Sequence, residues 1–134
     1  MKSPQTSHML AVLAALAQES RLGVFRLLVE HSPDGLTAGD IAQRVGLPAA
    51  TLSFHLKALA HADLVVGRAE GRFLRYRANI ETMNALVAYL LANCCAQSTT
   101  CDPACAPGAG VKLPKVQPVP VEAIGRMPRK IARR

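Results

Sequence analysis

The segment Thr37-Ala-Gly-Asp-Ile-Ala-Gln-Arg-Val-Gly-Leu-Pro48, continued by Ala49-Ala-Thr-Leu-Ser-Phe-His-Leu-Lys-Ala-Leu-Ala-His-Ala62, predicts two short helices joined by a tight turn. Thr37 can cap the first helix, because Asp40 lies three residues later as in a capping box. Gly46 interrupts the chain, and Pro48 suits the entry to the second helix. The predicted buried positions are Ile41, Ala42 and Val45 on the first helix and Leu52, Leu56, Leu59 and Ala60 on the second.

A β-hairpin is predicted directly after these helices. Two runs rich in β-branched and aromatic residues, Leu64–Val66 and Phe73–Tyr76, are separated by the Gly-containing connection Gly67–Arg72. Two short helices followed by such a hairpin indicate a helix-turn-helix with a wing.

Three further helices are predicted around this unit from apolar residues at helical spacing. The first is Met9–Ala17. The second begins at its cap, Ser20, and ends before the turn Ser32–Gly35, and the third runs from Glu81 to about Asn93. Their predicted buried stripes are Leu10, Leu13, Ala14 and Ala17; Leu22, Phe25, Leu28 and Val29; and Met83, Leu86, Val87, Leu90 and Leu91.

Composition agrees with packed helices, since 50% of the 134 residues are hydrophobic but only 4% are aromatic and none is Trp. The net charge of +7 is uneven: from Ala106 onward, seven basic residues and one acidic residue give +6, and six prolines follow Ala96. We therefore expect a mainly α winged helix-turn-helix domain with a β-hairpin over residues 6–95. A Pro-rich, basic and disordered tail is expected over residues 96–134.

The location of the protein depends on how Met9–Ala17 is interpreted. This run resembles the apolar part of a signal peptide, which would make the chain an exported metal- or disulfide-binding protein cleaved after Ala17. However, only one charge precedes the run, and the helical pattern continues beyond it. No apolar run approaches the ~20 residues of a membrane span. We expect a cytoplasmic protein without a membrane partner.

The second helix of the pair presents an outward face suited to double-stranded DNA. Small residues allow close approach to a major groove, hydroxyl groups and His55 can reach phosphates or base edges, and Phe54 can contact a thymine methyl group. The hairpin arginines would contact the DNA backbone or the minor groove. The predicted DNA-binding residues are Ala50, Thr51, Ser53, Phe54, His55 and Lys57 on the helix and Arg68, Arg72 and Arg75 on the hairpin, with Arg77 on the same face as Arg75.

About three-fifths of the chain resembles the ArsR/SmtB family of metalloregulatory repressors. The resemblance is carried by Leu16-Ala-Gln-Glu-Ser-Arg-Leu22, Leu36-Thr-Ala-Gly-Asp-Ile-Ala42, Leu52-Ser-Phe-His-Leu-Lys-Ala-Leu59, Ala62-Asp-Leu-Val65 and Gly71-Arg-Phe-Leu-Arg-Tyr76. It implies a winged-helix homodimer that pairs through its first and last helices. It also implies binding to an operator that is released when an inducer binds.

The inducer must be read from the side chains, because two of the family's metal sites are missing. The recognition-helix cysteine box would fall near Thr51–Lys57, which contains no Cys, and the last helix, Glu81–Asn93, offers only Glu81 for the family's zinc site. Cys94-Cys95 with Cys101 looks like the C-terminal arsenite-type site of some family members.

All four cysteines lie within twelve residues, Cys94–Cys105, so they cannot join distant segments and favour local ligation. Three soft thiolates suit trivalent arsenic or antimony, whereas zinc would require a fourth ligand. Adjacent residues of a helix point ~100° apart, so Cys94 and Cys95 can converge only where the helix unwinds. Cys105 is a possible additional ligand.

The function expected from the sequence is a dimeric operator-binding repressor induced by trivalent arsenic through Cys94, Cys95 and Cys101. A thiol-redox or zinc/cadmium sensor of the same fold remains an alternative. No carboxylate pair, activated nucleophile or phosphate-binding glycine loop stands in a suitable setting, so the sequence does not predict an enzyme or an organic cofactor.

Overall fold

A computed structural model describes residues 3–100 of the chain, which contain five helices and a three-stranded antiparallel sheet. Of the predicted tail, residues 96–134, the part from residue 101 onward, with Cys101 and Cys105, lies outside the described residues. In chain order the elements are α1 (Pro4–Leu16), α2 (Glu19–Glu30), β1 (Leu36–Thr37), α3 (Ala38–Val45), α4 (Ala49–His61), β2 (Val65–Glu70), β3 (Phe73–Ala78) and α5 (Ile80–Leu91).

The helix-turn-helix, α3 and α4, begins and ends as its sequence predicts. The Oγ1 atom of Thr37 accepts a hydrogen bond from the backbone N–H of Asp40 over 3.2 Å, which satisfies an end group of α3. Gly46 ends α3 in the left-handed region, with φ 67°, and its N–H donates to the carbonyl oxygen of Ala42. Pro48 then precedes the first residue of α4.

The sheet has the order β1-β3-β2. The hairpin is longer than predicted: residues 67–70, assigned to the connection, belong to β2, and only Gly71 and Arg72 form the turn. Strand β1 was not predicted, because a strand of two residues has no detectable periodicity. In β1, Thr37 pairs with Arg75 of β3, so the residue that caps α3 also belongs to the sheet.

The core lies between the helices and the inner face of the sheet. Its most deeply buried large side chains come from α2, α3, α4 and the segment that leads into β2. They are Leu28, Ile41, Leu52, Leu56, Leu59 and Leu64. The predicted inner faces of α3 and α4 are confirmed for Ile41, Val45 and the three leucines, whereas Ala42 is half-buried and Ala60 is exposed.

The predicted inner faces of the other helices are partly wrong. On α1 the buried residues are Met9, Val12 and Ala15, while all four residues predicted to be buried are exposed, namely Leu10, Leu13, Ala14 and Ala17. Helix α1 is apolar around most of its circumference, so periodicity alone cannot identify the face that contacts the core.

The predictions for α2 and α5 require similar corrections. Ser20 is buried inside α2, and the cap is Gln18, whose Oε1 accepts from the Arg21 N–H over 2.8 Å. Leu22 and Val29 are exposed, although Phe25 and Leu28 are buried as predicted. On α5 only Leu86 of the predicted stripe is fully buried, and Met83 is partly buried against the core; Val87, Leu90 and Leu91 are exposed.

None of the helices described between residues 3 and 100 has the length and apolar character needed to cross a bilayer.

Candidate nucleic-acid interface and thiol pair

The inner leucines of α4 determine which side of this helix remains accessible. Leu52, Leu56 and Leu59 are all almost completely buried, so the opposite side faces away from the core. The predicted DNA-binding residues divide accordingly: Ala50, Ser53, Phe54 and Lys57 are exposed, whereas Thr51 and His55 are half-buried.

His55 lies at the edge of this face rather than fully on it. Its Nδ1 atom is buried and has no hydrogen-bond partner among the described residues. Burial, with a smaller contribution from the positive charge of Arg21, lowers the pKa of His55 below its ordinary value of 6.5. The imidazole is therefore neutral near pH 7, and its ring packs edge to face against Phe54 with 6.1 Å between the ring centroids.

The hairpin formed by β2 and β3, called the wing here, has a charged outer face. Its register places Arg68 opposite Arg75, Val66 opposite Arg77 and Glu70 opposite Phe73. Residues paired in this way point to the same side of a sheet. The other side contains Val65, which is buried, and Tyr76 and Ala78, which pack against the core. The prediction that Phe73, Arg75 and Arg77 share one face is therefore consistent with the strand register.

Arg75 is engaged within the protein. Its Nε atom lies 2.8 Å from Oε2 of Glu70, and its Nη1 atom donates to the carbonyl oxygen of Gly35 over 3.2 Å. The hydrogen bond from Arg75 is the main reason that the pKa of Glu70 lies below its ordinary value. Arg75 thus connects the wing to the segment before β1, and its contact with DNA stays a prediction. Arg68 and Arg72 are exposed along the wing.

The contacts of Glu70 and Gly35 with Arg75, which hold the arginine in place, were not predicted. The spacing of Glu70 and Arg75 across a two-residue turn could have indicated the ion pair, since such residues are diagonal neighbours on a hairpin. That inference required the turn to be placed at Gly71-Arg72 rather than over the longer connection.

A pair of thiols follows the last helix. Helix α5 ends at Leu91, and the backbone of Cys95 has a positive φ of 65°. The Sγ atoms of Cys94 and Cys95 lie 3.7 Å apart, so the chain leaves the helix before the two sulfurs converge. Cys94 is exposed and Cys95 is half-buried. Across residues 3–100 no group of three His, Cys, Asp or Glu side chains is placed to hold a metal ion.

Helices α1 and α5 carry an exposed apolar surface, which we call the α1/α5 face. The two helices pack together, and the hydroxyl groups of Thr6 and Tyr89 are hydrogen-bonded over 2.9 Å. Half of the large hydrophobic residues exposed in the described part of the chain lie on these helices: Leu10, Leu13, Ile80, Val87, Leu90 and Leu91. An apolar surface of this kind indicates an interface with another protein surface.

Comparisons with known proteins agree with this architecture. Residues 16–68 match the family described as "Helix-turn-helix domain". An ArsR-like transcriptional regulator from Rhodococcus sp. RHA1 is 28% identical, with a TM-score of 0.57, covering 63% of this chain and 76% of its own. No curated protein matches the sequence significantly.

Two further solved structures are similar over most of their length. HlyU from Vibrio cholerae is 26% identical with a TM-score of 0.54, and the match covers 66% of this chain and 97% of that protein. The homodimeric winged helix-turn-helix DNA-binding domain of a possible ArsR-family transcriptional regulator from Mycobacterium bovis is 26% identical with a TM-score of 0.53. That match covers 69% of this chain and 88% of the domain.

Proposed function

We propose a specific role from the premise that this chain is an ArsR/SmtB-like winged helix-turn-helix regulator of transcription that binds DNA, and not an enzyme. The role is that of a homodimeric repressor, which leaves its operator when trivalent arsenic or antimony binds Cys94, Cys95 and Cys101. The observation that carries it is the exposed face of α4 beside an arginine-bearing wing, on a chain whose last helix ends at paired thiols.

The DNA-binding part of the proposal rests on how α4 is held. Its leucines fix it to the core along one side, so the exposed residues can enter a major groove as a rigid unit. The wing then supplies Arg68 and Arg72 as exposed cations for the phosphate backbone. In a dimer, two such helices about 34–36 Å apart would read an imperfect palindrome.

The α1/α5 face supports the homodimer. It concentrates apolar side chains on two helices that pack against each other, and none of these side chains belongs to α4. A second copy would bury this face against its own counterpart, as a two-fold interface requires. The similar domain from Mycobacterium bovis is described as homodimeric, which supports the same arrangement here.

The chemistry of the thiols supports a thiophilic inducer. Two sulfurs 3.7 Å apart can bind one ion together, and sulfur ligands favour soft ions over hard ones. In a tetrahedral zinc site with bonds of about 2.3 Å, two sulfurs lie about 3.8 Å apart, so the number of ligands rather than this spacing distinguishes the ions. Cys101, which lies outside the described residues, would complete a three-coordinate site, and Cys105 a four-coordinate one.

Ligand binding can affect the dimer because the thiols directly follow α5. If Cys94 and Cys95 bind an ion together with Cys101, the chain after Leu91 folds back on the end of the helix that forms part of the α1/α5 face. A change from almost fully bound to almost fully released DNA requires the ion to prefer the released form by about 5.5 kcal/mol. Three sulfur bonds to one ion are strong enough to supply such a preference.

The test is a titration of arsenite against a complex of the reduced, full-length protein with its operator. Release should occur in the wild type, with three thiols lost for each arsenic bound, and should be absent in Cys95→Ser. Gln97→Ala changes an exposed side chain in the same segment and should release normally. Undiminished release by Cys95→Ser would contradict the ligand assignment while leaving the DNA-binding function intact.

A redox or zinc/cadmium sensor is the second candidate. The short distance between the two sulfurs favours such a sensor as much as it favours an arsenic-responsive one. The same complex should therefore be treated separately with arsenite, with cadmium, and with a mild oxidant. Release by arsenite in the presence of reductant supports the first candidate. Release only by cadmium or by the oxidant supports the second.

A further inference from the structure

We propose that Phe54 recognises the C5 methyl group of a thymine in each operator half-site, which gives the repressor a base preference that depends on a single methyl group. This inference rests on the proposed DNA-binding function and specifies which chemical feature of the DNA is read. It would also make a 5-methylcytosine at the same position acceptable.

The exposure of Phe54 is the first observation. It is 69% exposed, more than any other exposed large hydrophobic residue in the described part of the chain. Phe54 belongs to α4 and is not one of the residues that form the α1/α5 face. Its neighbours on the outward side of α4 are Ala50, Ser53 and Lys57, a set of small, hydroxyl and cationic side chains suited to a groove.

The orientation of the ring is the second observation. Phe54 packs edge to face on His55, with an interplanar angle of 66°, and His55 is itself half-buried against the body of the protein. The Phe54 ring is therefore supported on one side by a partly immobilised neighbour, while most of its surface stays exposed. A supported ring loses less conformational freedom on binding than a fully mobile one.

The chemistry of the major groove then determines what Phe54 can select. Adenine, guanine and cytosine present hydrogen-bonding groups there, whereas thymine adds an apolar methyl group. A phenyl ring has no hydrogen-bond donor or acceptor. Against another base it would displace the water bound to the polar groups and supply no hydrogen bond in its place. Contact with a methyl group carries no such penalty and removes apolar surface from water.

The experiment begins with selection of preferred duplexes from a random library by the full-length protein. Each thymine of the selected half-site is then replaced by deoxyuridine, which removes the methyl group and changes no hydrogen bond. At one thymine position, removal of the methyl group from a single half-site should weaken binding about 4-fold. Its removal from both half-sites should weaken binding about 14-fold. A duplex with 5-methylcytosine at that position should bind more tightly than the same duplex with unmethylated cytosine.

Two variants assign the effect to the residue. Phe54→Ala, a change at an exposed position, should bind the thymine and deoxyuridine duplexes equally. Lys57→Ala should weaken binding to both duplexes by the same factor and so keep the methyl preference. The inference is overturned if no thymine shows a deoxyuridine effect in the wild type, or if Phe54→Ala retains that effect. Selection of no preferred sequence by the wild type would overturn the proposed function as well.

Discussion

Replacing Leu90 with Ala should weaken the dimer without unfolding the protomer. Leu90 lies on α5 within the α1/α5 face and is 58% exposed in the protomer. It contributes little to the protomer core, because the fully buried residue of α5's apolar stripe is Leu86. In a dimer that buries this face, the exposed part of Leu90 would be removed from water in both subunits.

The size of the effect follows from that exposed fraction. Complete burial of a Leu side chain contributes about 1.5–3 kcal/mol, so burial of the exposed 58% contributes about 0.9–1.7 kcal/mol per subunit. With two copies in the dimer, the loss is about 1.7–3.5 kcal/mol, and the dissociation constant should rise roughly 15- to 300-fold.

Sedimentation equilibrium over a range of protein concentrations measures this constant directly. Leu74→Ala is the matched control, because Leu74 is 51% exposed but lies on β3 of the wing and is not part of the α1/α5 face. It should leave the dissociation constant unchanged. A wild-type protein that is monomeric at all concentrations, or equal effects of the two substitutions, would refute the assignment of the interface.

Two further predictions concern stability. Gly35→Ala should lower the free energy of unfolding by more than about 1 kcal/mol in urea denaturation, because Gly35 has a φ of 76° and an added Cβ would clash with the carbonyl oxygen of Tyr76. A Cβ added at Gly39 meets no atom within 4 Å, so Gly39→Ala should be neutral or stabilising. Equal changes in the free energy of unfolding for the two substitutions would contradict this reasoning. Because burial lowers the pKa of His55 in the folded state, unfolding exposes a stronger base, and stability should fall as the pH drops below 6.5. His55→Gln should flatten that dependence in denaturation curves recorded from pH 7 to pH 5, and an unchanged dependence would rule out His55 as its source.

The parts of the fold that the sequence predicts well are those defined by local signals. Thr37, Gly46 and Pro48 mark the ends of α3 and the start of α4 through capping and backbone geometry, which depend on few neighbouring residues. The leucines of α4 follow a single helical stripe in an otherwise mixed sequence, so their burial could also be predicted.

The faces of the outer helices could not be predicted in the same way. Leu10 and Leu90 satisfy helical periodicity as well as buried residues do, yet both are exposed in the protomer. Periodicity identifies an apolar face but does not distinguish a protomer core from a subunit interface. The ion pair between Glu70 and Arg75 was missed for another reason, since it depends on the exact turn of the hairpin.

The double role of Thr37 has a mechanical consequence. Its backbone pairs with β3 of the wing, and its side chain closes the first turn of α3, so no flexible linker separates the hairpin from the helix pair. If the wing contacts DNA as proposed, a groove of unusual width would displace the hairpin, and that displacement would act on the start of α3 through Thr37. Duplexes whose shape fits both elements at once would then be favoured over those that fit only one, so the shape of the DNA would contribute to the choice of site.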